Sequence, residues 1–362
     1  MLSILLIDDN QTLLKELEDE LRAELTNDEV EIKTWVPSKD DDPSQKFQEL
    51  VTDETILVVT DYDLTRQGQT GLFGSSIVGW CQQKYIPVGD FSRGNPGNLP
   101  KEPNLFELRV PTNENAAHFV ASVFKGFRDI RQAIANKPSV LETRRSPAAL
   151  LAELLNVREL ESQFSQYAVR VGATNASILE KVMSTAPENK SPTEQDKKTL
   201  LGYIAGHLLL NAVLRYPGPI LSLRALSAYI ATDETDKEKL QTFFEATKYD
   251  GPFSGLEDYF WLSKVDDLLD QESSKLDEKF SASTQGELNR AILEKSLDVV
   301  LTRHDCKRCD GLAGGFLCPF TSRTVCQRSD CSIGASSWIP QGARLSRIER
   351  DFYDEWAPIL GI

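Results

Sequence analysis

The stretch Ser3-Ile-Leu-Leu-Ile-Asp-Asp-Asn10 carries a short apolar run that stops abruptly at two acidic residues. Leucines with helical spacing follow it, at Leu14, Leu17, Leu21 and Leu25. A short apolar run with polar boundaries is typical of a buried strand, and apolar residues three or four positions apart are typical of an amphipathic helix. The stretch therefore predicts a buried strand that ends in carboxylates and leads into a helix.

The same alternation of strand and helix patterns continues to about residue 136. Further strands are predicted at 30–36, 56–59, 86–91 and 105–110, and further helices at 71–83 and 113–135. Strands that alternate with helices of this length are typical of a doubly wound parallel sheet. We therefore expect residues 1–136 to form an α/β domain with five parallel strands.

Polar side chains lie at the predicted carboxyl ends of these strands. Asp8 and Asp9 follow the first strand, Asp61 ends the third, and Ser92 follows the fourth. Reactive groups of such sheets collect at this edge, and converging carboxylates repel one another unless a hard cation lies between them. Mg²⁺ binds carboxylates, carbonyls and water, so the pattern predicts a Mg²⁺-dependent phosphoryl site.

Over about residues 1–135 the chain resembles the receiver domain of two-component response regulators. The resemblance rests on Ile4-Leu-Leu-Ile-Asp-Asp-Asn10, on Val58-Val-Thr-Asp-Tyr-Asp-Leu64 followed by Gly71-Leu72, and on Pro87-Val88 with Ser92. It implies a phosphoryl-accepting signalling domain that receives its phosphoryl group from a histidine kinase or a phosphotransfer protein.

The resemblance also implies a role for each residue of the motifs. Asp61 corresponds to the phosphoacceptor, Asp9 to a direct Mg²⁺ ligand and Asp8 to a ligand through water. Asp63 corresponds to a ligand through its backbone carbonyl, and Ser92 to the hydroxyl that turns toward the phosphoryl group.

Two features depart from the receiver pattern. Receivers usually place a Lys before a Pro after the fifth strand, whereas this chain has Leu108-Arg-Val-Pro111. Counting from Pro111 puts Val110 at the Lys position, and counting from Phe106 puts Arg109 there as the cation. Residues 93–104 hold three prolines and two glycines, which cannot maintain a regular fourth helix.

The identity of the acceptor and the type of reaction stay open. Gly71 lies at the usual receiver interval after Asp63, but we prefer Asp61 because it directly follows the apolar strand. Asp61-Tyr-Asp-Leu-Thr65 also resembles the first motif of haloacid dehalogenase-type phosphatases, with Asp61 as nucleophile and Asp63 as acid and base. That family needs a later acidic pair, and Asp266-Asp267 lies in a helical pattern. A receiver scaffold that works without phosphorylation is a further alternative.

The strand pattern ends near residue 137, and residues 137–300 are predicted to form an all-helical domain. Ser146-Pro147 and Ser191-Pro192 are typical of helix starts, with Ser as N-cap and Pro in the first turn. Helices are expected at about 194–214, 221–231, 236–247, 256–270 and 286–301.

Five of the six cysteines fall between positions 306 and 331. In a reducing compartment such a group indicates a metal site rather than disulfides. We expect residues 301–362 to form a zinc-binding segment with a tail, and the preferred ligands are Cys306, Cys309, Cys326 and Cys331. Cys318 or His304 could replace one of them. A closed four-cysteine site is structural, because no position is open for water.

Charge restricts the partners of the chain. Residues 1–63 hold 18 acidic and 5 basic side chains, against a net charge of −15 for the whole chain, so bulk electrostatics oppose nucleic-acid binding there. Basic residues between 301 and 350 give nucleic-acid binding only weak support, and a protein output partner is preferred. We expect a cytoplasmic protein, because the N-terminus has no secretory pattern and no apolar run is long enough to span a membrane.

Overall fold

The computed structural model describes residues 1–65, 72–91, 108–111, 113–137, 139–140, 146–167, 193–276, 281–304, 306, 308–309, 315–334, 336 and 338–360. Its first part contains the predicted five-stranded sheet. The strands are β1 (Leu2–Ile7), β2 (Val30–Trp35), β3 (Thr55–Asp61), β4 (Val88–Phe91) and β5 (Leu108–Arg109). All neighbours are parallel and the order is β2-β1-β3-β4-β5, which is the order of receiver-like doubly wound folds.

Helices cover both faces of this sheet. They are α1 (Gln11–Glu24), α2 (Pro43–Leu50), α3 (Gly74–Gln83) and α4 (Ala116–Asn136). Side chains alternate along each strand, so Ile4 and Leu6 join the core with α1 and α4, while Leu5 and Ile7 join the core with α2 and α3. Residues 93–104, which are predicted not to form a regular fourth helix, lie outside the described part of the chain.

The second part is mostly helical. Its helices are α5 (Pro147–Leu154), α6 (Glu194–Leu208), α7 (Leu223–Ile230), α8 (Lys237–Phe243), α9 (Leu262–Ser273) and α10 (Gln285–Leu297). Ser146 caps α5 as predicted, accepting a hydrogen bond from the Ala149 backbone. The N-cap of α6 is Thr193, which forms a capping box with Asp196, rather than the predicted Ser191.

The prediction of an all-helical second part is wrong in one place. Strands β6 (Ile220–Ser222) and β7 (Tyr259–Trp261) pair antiparallel between the helices. Both strands are apolar, and Ile220, Leu221 and Phe260 are fully buried. The predicted helix at 256–270 therefore begins only at Leu262, because its first turn is taken by a buried aromatic strand.

The C-terminal part consists of short paired strands and one helix. The strands are β8 (Phe316–Leu317), β9 (Thr324–Val325), β10 (Ser332–Ile333) and β11 (Ile348–Glu349), and α11 (Arg350–Leu360) follows. β8 pairs with β9 and β10 pairs with β11, both antiparallel. Strands of two residues contribute little stability by themselves, so other contacts must hold this region.

One apolar core continues across the predicted boundary between residues 136 and 137. It extends from the sheet through α4 into α5 and α6 and reaches Cys318, Phe320 and Trp338 near the C-terminus. A second core lies among α7 to α10 with the two strands β6 and β7. Among the described helices, none is both long and apolar enough to cross a membrane.

Candidate functional site

Three carboxylates meet at the carboxyl edge of the sheet. Asp8 and Asp9 follow β1, Asp61 ends β3, and these two strands are neighbours with Ile7 in register with Thr60. One oxygen from each carboxylate lies within 4.8 Å of the others. The exposed fractions of Asp8, Asp9 and Asp61 are 9%, 1% and 7%, so the three side chains face one another rather than bulk water.

Local hydrogen bonds orient this group. The backbone N–H of Asn10 donates to Asp8 Oδ1 at 2.7 Å, and the backbone N–H of Tyr62 donates to Asp61 Oδ1 at 2.8 Å. The side chain of Asn10 caps α1 by accepting from Thr12 and Leu13. One short turn therefore fixes the end of β1, the carboxylate of Asp8 and the start of α1, while the Asp61 carboxylate is oriented separately at the end of β3.

Gly74 belongs to the site although the sequence interpretation did not include it. A Cβ atom at this position would overlap the backbone carbonyl oxygen of Asp61, so only glycine allows the first turn of α3 to lie against the acidic edge. The N–H of Gly74 donates to the Tyr62 carbonyl at 2.8 Å. The sequence signal that could have identified Gly74 is a glycine ten to fifteen residues after Asp61, the acidic end of β3.

The donor set fits a small hard cation. Two oxygens bound to one Mg²⁺ at about 2.1 Å lie at most about 4.2 Å apart, which is close to the observed group. Three ionised carboxylates held this closely repel one another, and a divalent cation removes that repulsion. The group can therefore hold a metal ion.

The other residues predicted for this site are placed differently. Asp63 is exposed and outside the carboxylate group, and its Oδ1 accepts from the backbone and hydroxyl of Thr65 at 3.1 and 2.6 Å. Arg109 of β5 is in register with Asp90 of β4, whereas Asp61 of β3 is in register with Phe91, the next residue of β4. Arg109 therefore lies one residue before the position that is level with Asp61. Ser92 lies outside the described residues, so its role stays a prediction, as does that of Arg109.

Four cysteine thiols form a second group. The sulfur atoms of Cys306, Cys309, Cys326 and Cys331 all lie within 4.8 Å of one another, with 3.4 Å between Cys309 and Cys326. Four sulfurs around one Zn²⁺ at about 2.3 Å lie about 3.8 Å apart, so the group needs little rearrangement to become tetrahedral. These are the four cysteines that the sequence interpretation preferred.

The thiols of this group influence one another electrostatically. Burial raises the pKa of Cys306, but backbone N–H donors at Arg308, Cys326 and Cys309 outweigh it and lower this pKa to about 7. Burial raises the pKa of Cys331, and hydrogen bonds to the neighbouring thiols raise it further. The Cys306 thiol therefore has a lower pKa than the Cys331 thiol, and a bound cation would favour the thiolate form of each.

The two alternative zinc ligands lie elsewhere. Cys318 is fully buried in the main core, and its backbone N–H donates to the Arg323 carbonyl at 2.9 Å. His304 places Nδ1 at 3.3 Å from the carboxylate of Asp233. Neither belongs to the group of four thiols among the described residues.

Three basic residues around the thiols form ion pairs with acidic side chains. Arg308 pairs with Asp351 at 2.7 Å, Arg323 with Glu349 at 3.0 Å and Arg328 with Asp330 at 3.8 Å. These pairs leave less positive charge for phosphate groups, so the rim itself adds no support for nucleic-acid binding.

The chain was also compared with protein-family models, with curated proteins and with solved structures. No family model, no curated protein and no solved structure matches it.

Proposed function

We propose that the protein is a receiver-like signalling protein that accepts a phosphoryl group on Asp61 in the presence of Mg²⁺. The observation that carries the proposal is the buried group of Asp8, Asp9 and Asp61 at the carboxyl edge of a β2-β1-β3-β4-β5 sheet. The donor would be a histidine kinase, a phosphotransfer protein or a small acyl phosphate. Phosphorylation would control how the helical and cysteine-rich parts bind an output protein.

In the proposed reaction a carboxylate oxygen of Asp61 attacks the phosphorus of the donor. A P–O bond to Asp61 forms as the bond from phosphorus to the donor nitrogen or oxygen breaks, and the leaving group takes up a proton. Mg²⁺ bound to Asp8 and Asp9 would neutralise charge on the transferred group. The N–H of Tyr62 donates to Asp61 Oδ1 and orients the carboxylate that would attack.

The remaining roles come from the resemblance. Ser92 would donate its hydroxyl to the phosphoryl oxygens, and Arg109 would supply the cation that a lysine supplies in other receivers. The backbone carbonyl of Asp63 would complete the Mg²⁺ ligands. Asp63 itself would not be the acceptor, because its carboxylate is exposed and bound within the turn to Thr65.

The test is phosphorylation by acetyl phosphate with Mg²⁺, followed by intact-mass and peptide mass spectrometry. We expect one acyl phosphate on Asp61, its loss in Asp61→Asn and in the presence of EDTA, and its retention in Asp63→Asn. Beryllofluoride should bind wild type and not Asp61→Asn.

Other outcomes would assign the alternative functions. No acyl phosphate and no Mg²⁺ binding in the wild type would establish a scaffold that works without phosphorylation. Steady hydrolysis of phosphate esters that Asp63→Asn abolishes would establish a haloacid dehalogenase-like phosphatase.

We further infer that Cys306, Cys309, Cys326 and Cys331 hold one structural Zn²⁺. Four thiolates are the ligand set of closed zinc sites, and softer sulfur ligands exclude Mg²⁺ from this position. Elemental analysis should find one zinc per chain. Cys306→Ser should reduce zinc to near zero, whereas Cys318→Ala should leave it unchanged; loss of zinc in the second variant alone would contradict the ligand set.

A further inference from the structure

The C-terminal helix α11 begins on a residue of the thiol cluster. The backbone N–H of Arg350, the first residue of α11, donates to the carbonyl of Cys331 at 2.9 Å. Strand β11 directly precedes α11 in the chain, and it pairs with β10, which begins directly after Cys331. The loop that carries Cys326 and Cys331 therefore fixes both the strand that enters α11 and the first turn of the helix.

A half-buried arginine adds a second connection. Arg347 donates from Nε to the Ser332 hydroxyl at 2.6 Å, and its Nη2 donates to the carbonyls of Gln327 and Ser332 at 3.2 and 3.3 Å. The Ser332 hydroxyl in turn donates to the Cys326 carbonyl at 2.5 Å. The Arg347 side chain thus spans the loop between the last two cysteines and joins it to the strand before α11.

The first two cysteines are connected to the same helix. Arg308 lies between Cys306 and Cys309 in the chain, and it pairs with Asp351 in the first turn of α11 at 2.7 Å. Both halves of the thiol cluster therefore contact the N-terminal end of α11, one through the backbone and one through an ion pair.

Beyond its first turn, α11 covers the C-terminal end of the main core. Phe352 stacks on Phe320 with ring centres 5.4 Å apart, and Tyr353 lies 5.0 Å from Trp338. Phe320 and Trp338 are buried core residues. Detachment of α11 would expose an aromatic surface both on the helix and on the core.

The described parts of the loops that fix α11 pack around the four thiols rather than around an apolar core of their own. The thiols form a separate buried cluster in which the described members are all cysteines. The neighbouring strand residues Val325 and Ile348 pack in the main core, so metal binding would supply the additional folding energy that fixes the thiol loops themselves.

We propose that the four-cysteine site is a metal-dependent clamp that holds α11 on the core and releases it when the metal is lost. This inference rests on the zinc assignment made above. With the metal bound, the Cys331 carbonyl, Arg347 and Arg308 hold the start of α11. Without it, the thiol loops open, these contacts are lost together, and the aromatic surface of Phe320 and Trp338 is uncovered.

The test is hydrogen exchange of the full-length protein with and without a zinc chelator. We expect the amides at 353–357 in α11 to exchange at least about tenfold faster after zinc removal, while amides of β1 and β3 keep their protection. Zinc added back should restore the slow exchange. Binding of a hydrophobic dye should rise with zinc removal and fall with its return.

Variants separate the clamp from zinc binding. Arg347→Met should keep one zinc per chain but accelerate exchange at 353–357, since it removes the connection and not a ligand. Arg328→Gln is the matched control on the same loop, because its side chain pairs only with Asp330 among the interactions described, and it should change neither quantity.

The possible failures are distinguishable. Absence of zinc from the wild type would overturn the zinc assignment and the clamp with it. Zinc that can be removed without any change in α11 would overturn the clamp alone. Equal acceleration in α11 and in the β-sheet would also overturn it, because zinc would then stabilise the whole chain rather than one helix.

Discussion

Asp9 is the most deeply buried member of the carboxylate group, and it gives a test of metal binding that is independent of phosphorylation. In EDTA, Asp9→Asn should raise the free energy of unfolding by about 1–3 kcal/mol, because it removes one of three charges that repel one another at short distance. Mg²⁺ should stabilise the wild type and not the variant, since only the wild type has the full ligand set. Chemical denaturation with and without Mg²⁺ measures both effects.

The control is Glu20→Gln on the exposed side of α1, which removes one acidic charge outside the group. It should leave the Mg²⁺ effect intact and change stability by less than about 0.5 kcal/mol. If Asp9→Asn instead loses stability in EDTA, its carboxylate is a structural hydrogen-bond acceptor, and the metal interpretation fails.

At the residue scale, the sequence predicted the positions of side chains that lie at strand ends. It did not predict the positions of side chains that depend on turns and on helix packing. Asp8, Asp9 and Asp61 could be placed together because parallel strands end at one edge. The exposed carboxylate of Asp63 depends on the turn to Thr65, and the contact of Gly74 with Asp61 depends on packing of α3. Neither feature has a signal in the hydrophobic pattern.

At the scale of single elements, α4 is shaped by a residue from a distant loop. Phe253 adopts a left-handed backbone with φ of 67°, and its ring lies against Gly126 in α4 and edge-on to Phe127. Such a conformation is unfavourable for a bulky residue, so tertiary packing must hold it. Gly126 is therefore needed for space rather than for conformational freedom.

The two helical glycines Gly126 and Gly79 should respond in opposite ways to substitution by alanine. Gly126→Ala gains up to about 1 kcal/mol in helix propensity, but its Cβ would overlap the buried Phe253 ring, so a net loss of about 1–3 kcal/mol is expected. Gly79→Ala in α3 has open space around its Cβ and should gain about 0.5–1 kcal/mol. Thermal and chemical unfolding would measure the change in the free energy of unfolding for each variant. Equal changes in the two variants would contradict the role given to Phe253.

Elements with strong local signals were predictable and those set by tertiary packing were not. β1 and α1 follow directly from the apolar run and the leucine spacing. α2 was missed although Asp42 caps it and Pro43 occupies its first turn, because its apolar positions are too few for a clear period. β6 and β7 were missed because short apolar runs are compatible with helix and strand alike.

At the scale of the whole molecule, α4 belongs to two structural parts at once. One side of the helix faces α1 and the turn that follows it, where Arg128 pairs with Asp28. The other side faces α6, where Phe127 packs against Gly206 and Ile134 lies near Gly202. A sequence pattern shows that a helix is largely apolar, but it does not show which partner covers each side.

The last prediction follows from this shared helix. A fragment of residues 1–136 keeps the whole sheet but loses α6, so Phe127, Ile130 and Ile134 would become an exposed apolar stripe on α4. We expect the fragment to self-associate in light scattering at concentrations where the full chain does not. Phe127→Gln and Ile134→Gln together should reduce that association, whereas the same changes in the full chain should destabilise it, by about 2–5 kcal/mol for a buried apolar site. A stable monomeric fragment would show instead that the α/β part folds without its helical neighbour.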